Sequence, residues 1–369
     1  MLLEPPPNVI SVKSNRGRVV DITSLADLDR HLAAGARSLA GWRLIGLDLT
    51  HHGKALQERS VAQALFLGCT FAPGDGEVVR RAGAVVLPKI PDTPVDPYRA
   101  RLYSPRELYD AEHYRDTLDA RAYAWSQGAV ETDDELAMAL HDHALDGALT
   151  AWVDGRSIVG VMGGHALARG SAGYDDAARL GHALGSRLTV ATGGGPGAME
   201  AANLGAWLSG ESAATLTDAL AAVAAVPSFE PDVGAWARAA LALVDARTGT
   251  DTLGIPTWHY GHEPPNPFAT AIAKYFKNAT REAILLQVCN AGIVFLPGAA
   301  GTVQEVFQDA CENYYADPAS IAPMVLVGRT HWTETVPAWP LLHTLARDRA
   351  MESHVHLVDS VDEAVALFS

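Results

Sequence analysis

The sequence predicts an α/β chain: a doubly wound, mainly parallel, Rossmann-like sheet preceded by an N-terminal accessory domain. Three observations carry this. From Ser157 onward short apolar runs alternate with helical patterns, which is how a parallel sheet with crossover helices is written in sequence. Two of the apolar runs end in glycine turns that open directly into helices, and no such strand-glycine-helix turn precedes Ser157.

Taken in order, Met1 to Pro7 has no basic run followed by an apolar core, so neither secretion nor a membrane anchor is expected there. Trp42 to Leu49 and Ala64 to Cys69 faintly resemble coils of a pentapeptide-repeat solenoid. Two partial copies fall short of the three that stacking needs, so residues 1–104 are expected to form an accessory domain of unclear fold. Pro88, Pro91, Pro94 and Pro97 read as a stiff linker within it. Residues 105–156 read as a helical lead-in, and residues 157–369 as the Rossmann-like sheet domain. Strands are expected at Ser157–Met162, Arg187–Thr192, Leu253–Trp258, Gly292–Leu296, Met324–Val327 and Val355–Val358. Helices are expected at Tyr174–Leu184, Ala198–Leu208, a long stretch from Pro267 to near Cys289, Thr302–Tyr315, and after the capping box Ser360-Val361-Asp362-Glu363. An alanine-rich insertion, about 209–254, reads as two helices that lid or flank the site.

Composition narrows the function classes. The 369 residues are 48% hydrophobic, enough for a substantial core. Lys+Arg 28 against Asp+Glu 43 gives a net charge of −15, which opposes nucleic acid and anionic membranes as partners. The three cysteines, Cys69, Cys289 and Cys311, are widely spaced in apolar or helical segments, so neither a disulfide framework nor a zinc site is expected and the reading is a cytoplasmic protein. His141 and His143 are two apart on a helix and point in different directions, whereas His354 and His356 share a strand face without a third ligand. No metal is expected. The first strand lacks Gly-x-Gly-x-x-Gly and no Gly-x-Ser-x-Gly elbow occurs, against a dinucleotide cofactor and a serine hydrolase respectively.

The chemistry concentrates in the two glycine loops. Gly193-Gly194-Gly195-Pro196-Gly197-Ala198-Met199-Glu200 and Pro297-Gly298-Ala299-Ala300-Gly301-Thr302-Val303-Gln304-Glu305 each join an apolar strand to a helix. Backbone N–H groups at such a helix start, with the helix dipole, favour an anion. Either loop alone is equally well read as a tight connection, and Thr302-x-x-Glu305 is itself a capping box.

The pair of motifs resembles the LOG (lonely guy) phosphoribohydrolase family, once called lysine decarboxylase-like, and Glu263-Pro264-Pro265-Asn266-Pro267 resembles its larger bacterial branch, the nucleotide 5′-monophosphate nucleosidases. The resemblance covers about Ser157 to Ser369; one departure is Ala299, where the family has a second adjacent glycine. It implies hydrolysis of the N-glycosidic bond of nucleoside 5′-monophosphates to free base and ribose 5-phosphate, with no metal or organic cofactor, in a homodimer or larger homo-oligomer. It implies Glu305 beside the ribose as the catalytic carboxylate and Arg281 as the catalytic arginine, with Lys274 and Lys277 earlier on the same helix as alternates. Phosphate and substrate contacts fall to Gly163, Gly164, Gly193, Gly194, Gly195, Gly197, Met199, Gly298, Gly301 and Thr302, with His165 or Ser171 as further candidates. Asn266 is expected to read a base or ribose hydroxyl, or to cap the helix begun by Pro267. Two other readings stand beside this one. A nucleotide or molybdenum-cofactor-type carrier uses the same fold without turnover, and an amino-acid decarboxylase lacks a lysine in a pyridoxal-phosphate context.

Overall fold

The computed structural model describes residues 20–128, 132–260 and 263–368, so the Met1 to Pro7 segment lies outside the described residues. The chain divides after Ala100 into two compact units.

The first unit is a parallel coil of four rungs. Strands β1 (Val20–Ile22), β2 (Trp42–Ile45), β3 (Leu65–Leu67) and β4 (Val85–Leu87) pair in that order, separated by helices α1 (Leu25–Ala33), α2 (Gly53–Gln57) and α3 (Asp75–Arg81). Registers Asp21↔Arg43, Arg43↔Leu65 and Leu65↔Val85 set the rungs 22, 22 and 20 residues apart. The stacking buries equivalent positions over one another: Leu39 with Val61, Trp42 with Ala64, Leu44 with Phe66, Leu47 with Cys69. The sequence reading is therefore corrected. The repeat is three long strand-helix units closed by a fourth strand, not two partial coils of five-residue steps, and four stacked strands satisfy the stacking requirement. The proline segment packs back on this unit, with Val95 and Tyr98 buried and the Tyr98 ring 2.9 Å from where a Gly68 Cβ would stand.

The second unit opens with α4 (Pro105–Leu108), α5 (Leu118–Ser126) and α6 (Thr132–Val153). The sheet domain follows: β5 (Ile158–Met162), α7 (Ala172–Gly185), β6 (Thr189–Thr192), α8 (Ala198–Trp207), α9 (Ala213–Val223), α10 (Val233–Ala246), β7 (Leu253–Gly254), β8 (Ala271–Ile272), α11 (Asn278–Gln287), β9 (Gly292–Phe295), α12 (Ala300–Tyr315), β10 (Met324–Val327), α13 (Trp339–Ala346), β11 (Val355–Val358) and α14 (Val361–Ala366). Seven strands order as β11-β10-β9-β5-β6-β7-β8, every pair parallel. This is the doubly wound α/β sheet expected. The order reverses between β5 and β9, so their carboxyl ends form the crevice where ligands of such sheets lie.

Burial explains the strand composition. β5, β9 and β10 are buried at every residue and correspondingly apolar throughout. The Ser360–Glu363 capping box forms as read, with both reciprocal bonds. The expected long helix after Pro267 does not. Ala271–Ile272 is an edge strand, and the helix starts only at Asn278. Thr252 and Thr270 hold the intervening segment extended by side-chain bonds across β7 and β8, which local helical periodicity cannot anticipate.

α7 and α8 approach each other through glycines: a Cβ on Gly205 would lie 1.8 Å from Ala178 O, and one on Gly181 would lie 2.0 Å from Ala202 O. Gly205→Ala is therefore expected to cost roughly 3 kcal/mol through forced separation of the pair. Gly210→Ala, with nothing within 4 Å, serves as the control. Urea unfolding of both variants checks this, and equal midpoints would contradict the packing account.

Candidate active site

The two loops at the carboxyl ends of the strands do different work. All of Gly193, Gly194, Gly195 and Gly197 are buried. A Cβ at Gly193 or Gly195 would meet Met199 Sδ (2.8 Å) or Cε (3.0 Å), so these glycines make room for the thioether. Gly194 N–H donates to Thr192 Oγ1 (3.0 Å). Gly197 has φ +71° and its Cβ would strike Gly164 O at 2.5 Å, which fixes glycine there on both counts. Asn266 completes the buttress. It is fully buried, its N–H donates to Gly194 O (2.8 Å), its Nδ2 to Gly195 O (3.2 Å) and Asn203 Oδ1 (3.1 Å), and its Oδ1 accepts from Ala269 N (3.1 Å). The expectation for Asn266 is corrected on both counts. No helix starts beside it, and its amide is spent inside the protein rather than turned to a ligand.

The second loop is the open one. Pro297, Ala299, Ala300 and Gly301 are exposed, and the first helical N–H with a backbone acceptor is that of Val303, to Ala299 O (3.0 Å). The N–H groups of Ala300, Gly301 and Thr302 are thus the orphan donors of the α12 start. Gly298 is required for close approach: a Cβ there would lie 2.1 Å from Thr302 Oγ1, so the hydroxyl is tucked into the turn. Ala299 sits at φ −113°, a conformation that needs no glycine, so the departure from the family pattern leaves the turn intact. Gly163 and Gly164 join the loops: Gly164 N–H donates to Pro297 O (3.2 Å), Gly164 O accepts from Ala198 N (3.1 Å), and a Gly163 Cβ would touch Ala198 and Leu296. Ser171 caps α7 and His165 is exposed beside a cavity of about 260 Å³ also lined by Pro196, Gly197, Phe229 and Trp236. The insertion flanks this side, anchored by the fully buried pair Arg169–Glu200, whose guanidinium also reaches Val226 O (3.3 Å) and Trp236 O (3.1 Å). Glu200 is thereby a structural member of its motif.

Because α12 begins at Ala300, Thr302 is its third residue and Glu305 its sixth. The capping-box reading of Thr302-x-x-Glu305 is corrected: the pair stands one turn too far into the helix to cap it. Glu305 instead faces Arg281, with Nη1 to Oε1 at 3.8 Å. Arg281 Nη2 lies 3.6 Å from Glu263 Oε2 on its other side. The guanidinium also lies against the first loop, 3.9 Å from where a Gly193 Cβ would stand. Arg281 is 7% exposed, and its Nε is buried without a partner. Neither carboxylate is within hydrogen-bonding distance, so the guanidinium stands between two carboxylates held by charge alone.

Burial pushes the Glu305 carboxyl up to about 7; Arg281 opposes this, and Glu263 and Glu282 add to it. Asp309, one turn further along α12, is raised to about 8 by burial and by Glu312. The alternates for Arg281 are corrected. Lys274 precedes the helix and is buried against Asp119 (2.7 Å), and Lys277 is an exposed flanking residue of α11. His141 is fully buried on Asp142 and Tyr103, and among the described residues no three His, Cys, Asp or Glu side chains group to hold a metal ion. No helix among them is long and apolar enough to cross a membrane.

The sequence did not single out the charge of Glu263, though it begins the Glu-Pro-Pro-Asn-Pro segment; proline rigidity ahead of an acid-free run was the available signal. It also missed the lead-in helices as scaffold. Asp119 accepts from Lys274, Trp258 (2.8 Å) and Tyr114 (2.9 Å), the Tyr109 hydroxyl donates to Pro265 O (2.6 Å), and Asp146 accepts from Tyr275 (2.9 Å).

No family model and no curated protein matches this sequence. Among solved structures, the molybdenum cofactor binding protein of the phototrophic bacterium Rippkaea orientalis is similar over 57% of this chain and 94% of its own, at 16% identity and TM-score 0.35. The molybdenum cofactor carrier protein of Chlamydomonas reinhardtii aligns over 57% and 95%, at 18% identity and TM-score 0.36. The protein TM1055 aligns over 57% and 97%, at 18% identity and TM-score 0.35. At this distance the likeness says nothing of activity, and any functional reading rests on the residues of the site.

Proposed function

We propose that the second unit hydrolyses the N-glycosidic bond of nucleoside 5′-monophosphates: water adds to C1′, the C1′–N bond breaks, and the proton goes to the departing base. One observation carries this reading. A buried arginine stands between two carboxylates, one of them titrating near neutrality, at the switch point of a parallel sheet beside an open helix start. In this reading the N–H groups of Gly301 and Thr302 take the phosphate, with Arg281 supplying the cation. Glu305, as carboxylate, stabilises the positive charge that develops on the ribose or orients the attacking water, and Glu263 is the second carboxylate across Arg281. No resident metal or organic group enters these steps.

The reading is tested by incubation with a panel of nucleoside 5′-monophosphates. Free base and ribose 5-phosphate should appear in equal amounts. A nucleotide that binds without release supports the carrier reading instead. The pH dependence is a second expectation. Glu305 must be ionised to act, and burial holds it protonated until about 7, so the rate should rise with pH through that value. A profile flat from pH 5 to 8 would remove Glu305 from the chemistry.

A further inference from the structure

We infer that Asp142 is a positioning residue for this site: from α6 it holds the two residues that lead into α11 and so fixes where Arg281 stands between Glu263 and Glu305. The inference rests on the catalytic reading of those three residues.

A helix start needs acceptors for its first N–H groups, and α11 has no side-chain cap of its own. Lys277, at the capping position, carries no acceptor. Asp142, on a different helix, instead holds the two residues that lead into α11, its Oδ1 accepting from Phe276 N (3.1 Å) and its Oδ2 from the N–H of the capping residue itself, Lys277 N (2.9 Å). Its charge also complements the positive end of the helix dipole. Arg281 N–H donates to Lys277 O (3.2 Å), so the arginine stands on the first turn after the cap and any rotation of that start moves it directly.

Asp142 is itself held. His141 Nδ1 lies 3.0 Å from its Oδ1, and His141 Nε2 lies 2.7 Å from the Tyr103 hydroxyl. A carboxylate only accepts, so Nδ1 carries a proton toward Asp142, while Nε2 and the Tyr103 hydroxyl share the second hydrogen bond. Tyr103 is in turn pinned to the sheet edge, exchanging both backbone bonds with Ile272 (2.9 Å each). His141 is wedged among Tyr103, Trp258 and Phe276, rings 5.0 to 5.8 Å away. The chain Tyr103–His141–Asp142 thus runs from the edge strand to the α11 start. A displacement of about 1 Å at a reacting centre is enough to cost of the order of a hundredfold in rate, so such an anchor has a catalytic consequence beyond stability.

The test uses the full chain and needs no substrate for its first readout. In protein with 13C-labelled glutamate carboxyls, the Glu305 signal is assigned by its loss in Glu305→Gln and titrated by NMR. Asn has one oxygen where Asp has two, and its amide nitrogen would face an N–H donor. In Asp142→Asn the Glu305 midpoint should therefore move up by roughly half a pH unit or more, because Arg281 no longer stands close enough to hold it down. Affinity for inorganic phosphate should fall roughly tenfold in the same variant. Glu135→Gln, at an exposed acid in the first turn of the same helix, should leave both as in wild type. Asp142→Glu keeps the charge and displaces it by a methylene; it should shift Glu305 in the same direction, and it decides the question if Asp142→Asn does not fold. An unchanged Glu305 titration in a folded Asp142 variant overturns the inference. Absence of base release by wild type would instead overturn the proposed reaction, and the titration would still report on Asp142.

Discussion

Glu305→Gln will release free base at roughly one-hundredth of the wild-type rate or less while retaining nucleotide binding. Glutamine keeps the shape and the hydrogen-bonding reach of glutamate but cannot carry the negative charge that a cationic ribose or an attacking water requires. Loss of a helix cap would not explain such a fall, because the helix starts at Ala300 and Glu305 caps nothing. Stability gives an independent check with a definite sign. The carboxyl titrates at about 7 when folded, above its ordinary 4.5, so ionising it in the native state is unfavourable. Between those values the unfolded chain has lost the proton that the native state still holds, and stability falls as pH rises. The glutamine variant lacks that contribution. Its melting temperature at pH 8 should equal or exceed wild type, whereas at pH 4 the two should agree. A variant that is both inactive and unstable at pH 8 would mean that Glu305 is structural.

Arg281→Met, which keeps much of the volume and removes the charge, should weaken monophosphate binding by roughly ten- to a hundredfold, the worth of one or two charge-assisted hydrogen bonds. It also leaves Glu263 and Glu305 facing each other with no cation between them. Breaking a buried ion pair on one side is destabilising because the remaining charges stay buried. Here the cost should be about 1–3 kcal/mol at pH 8, below the usual range for a fully hydrogen-bonded pair because these contacts are long. It should shrink at pH 5, where Glu305 is protonated in either protein. The rate profile should move to higher pH, since the one group that lowers the Glu305 carboxyl is gone. Unchanged KM and an unchanged profile would remove Arg281 from the site.

Much of the second unit was legible in sequence because the signals are local. β5, β9 and β10 are buried on both faces and so appear as unbroken apolar runs, and the Ser360–Glu363 cap is written within four residues. The failures share a cause of the opposite kind. The segment from Pro267 to Lys277 reads as helix by itself but is held extended by Thr252, Asp119 and Asp142, partners up to 155 residues away in sequence, the distance from Asp119 to Lys274. The glycines of the first loop read as a phosphate cradle, yet Gly193 and Gly195 yield their space to Met199, and Asn266 turns inward to hold Gly194 and Gly195. The coil of the first unit was written plainly at Leu39, Trp42, Leu44 and Leu47 and again 22 residues later, but a search for five-residue steps looks past that period. Of the residues gathered at the proposed site, Glu305 was singled out from the second glycine motif and Arg281 from the helix before it. Glu263 and Asp142 were not, since only the fold brings Glu263 to Arg281 and Asp142 to the start of its helix.

The measurement that tests the account most directly compares base release from a nucleoside 5′-monophosphate and from the matching nucleoside, with nucleotide affinity determined on the same preparation. The account predicts steady release from the monophosphate and at least a hundredfold less from the nucleoside, because the phosphate contacts at the α12 start supply binding energy that the reaction uses. Tight binding of the monophosphate with no free base from either compound would contradict it, and would leave a nucleotide carrier in place of an enzyme.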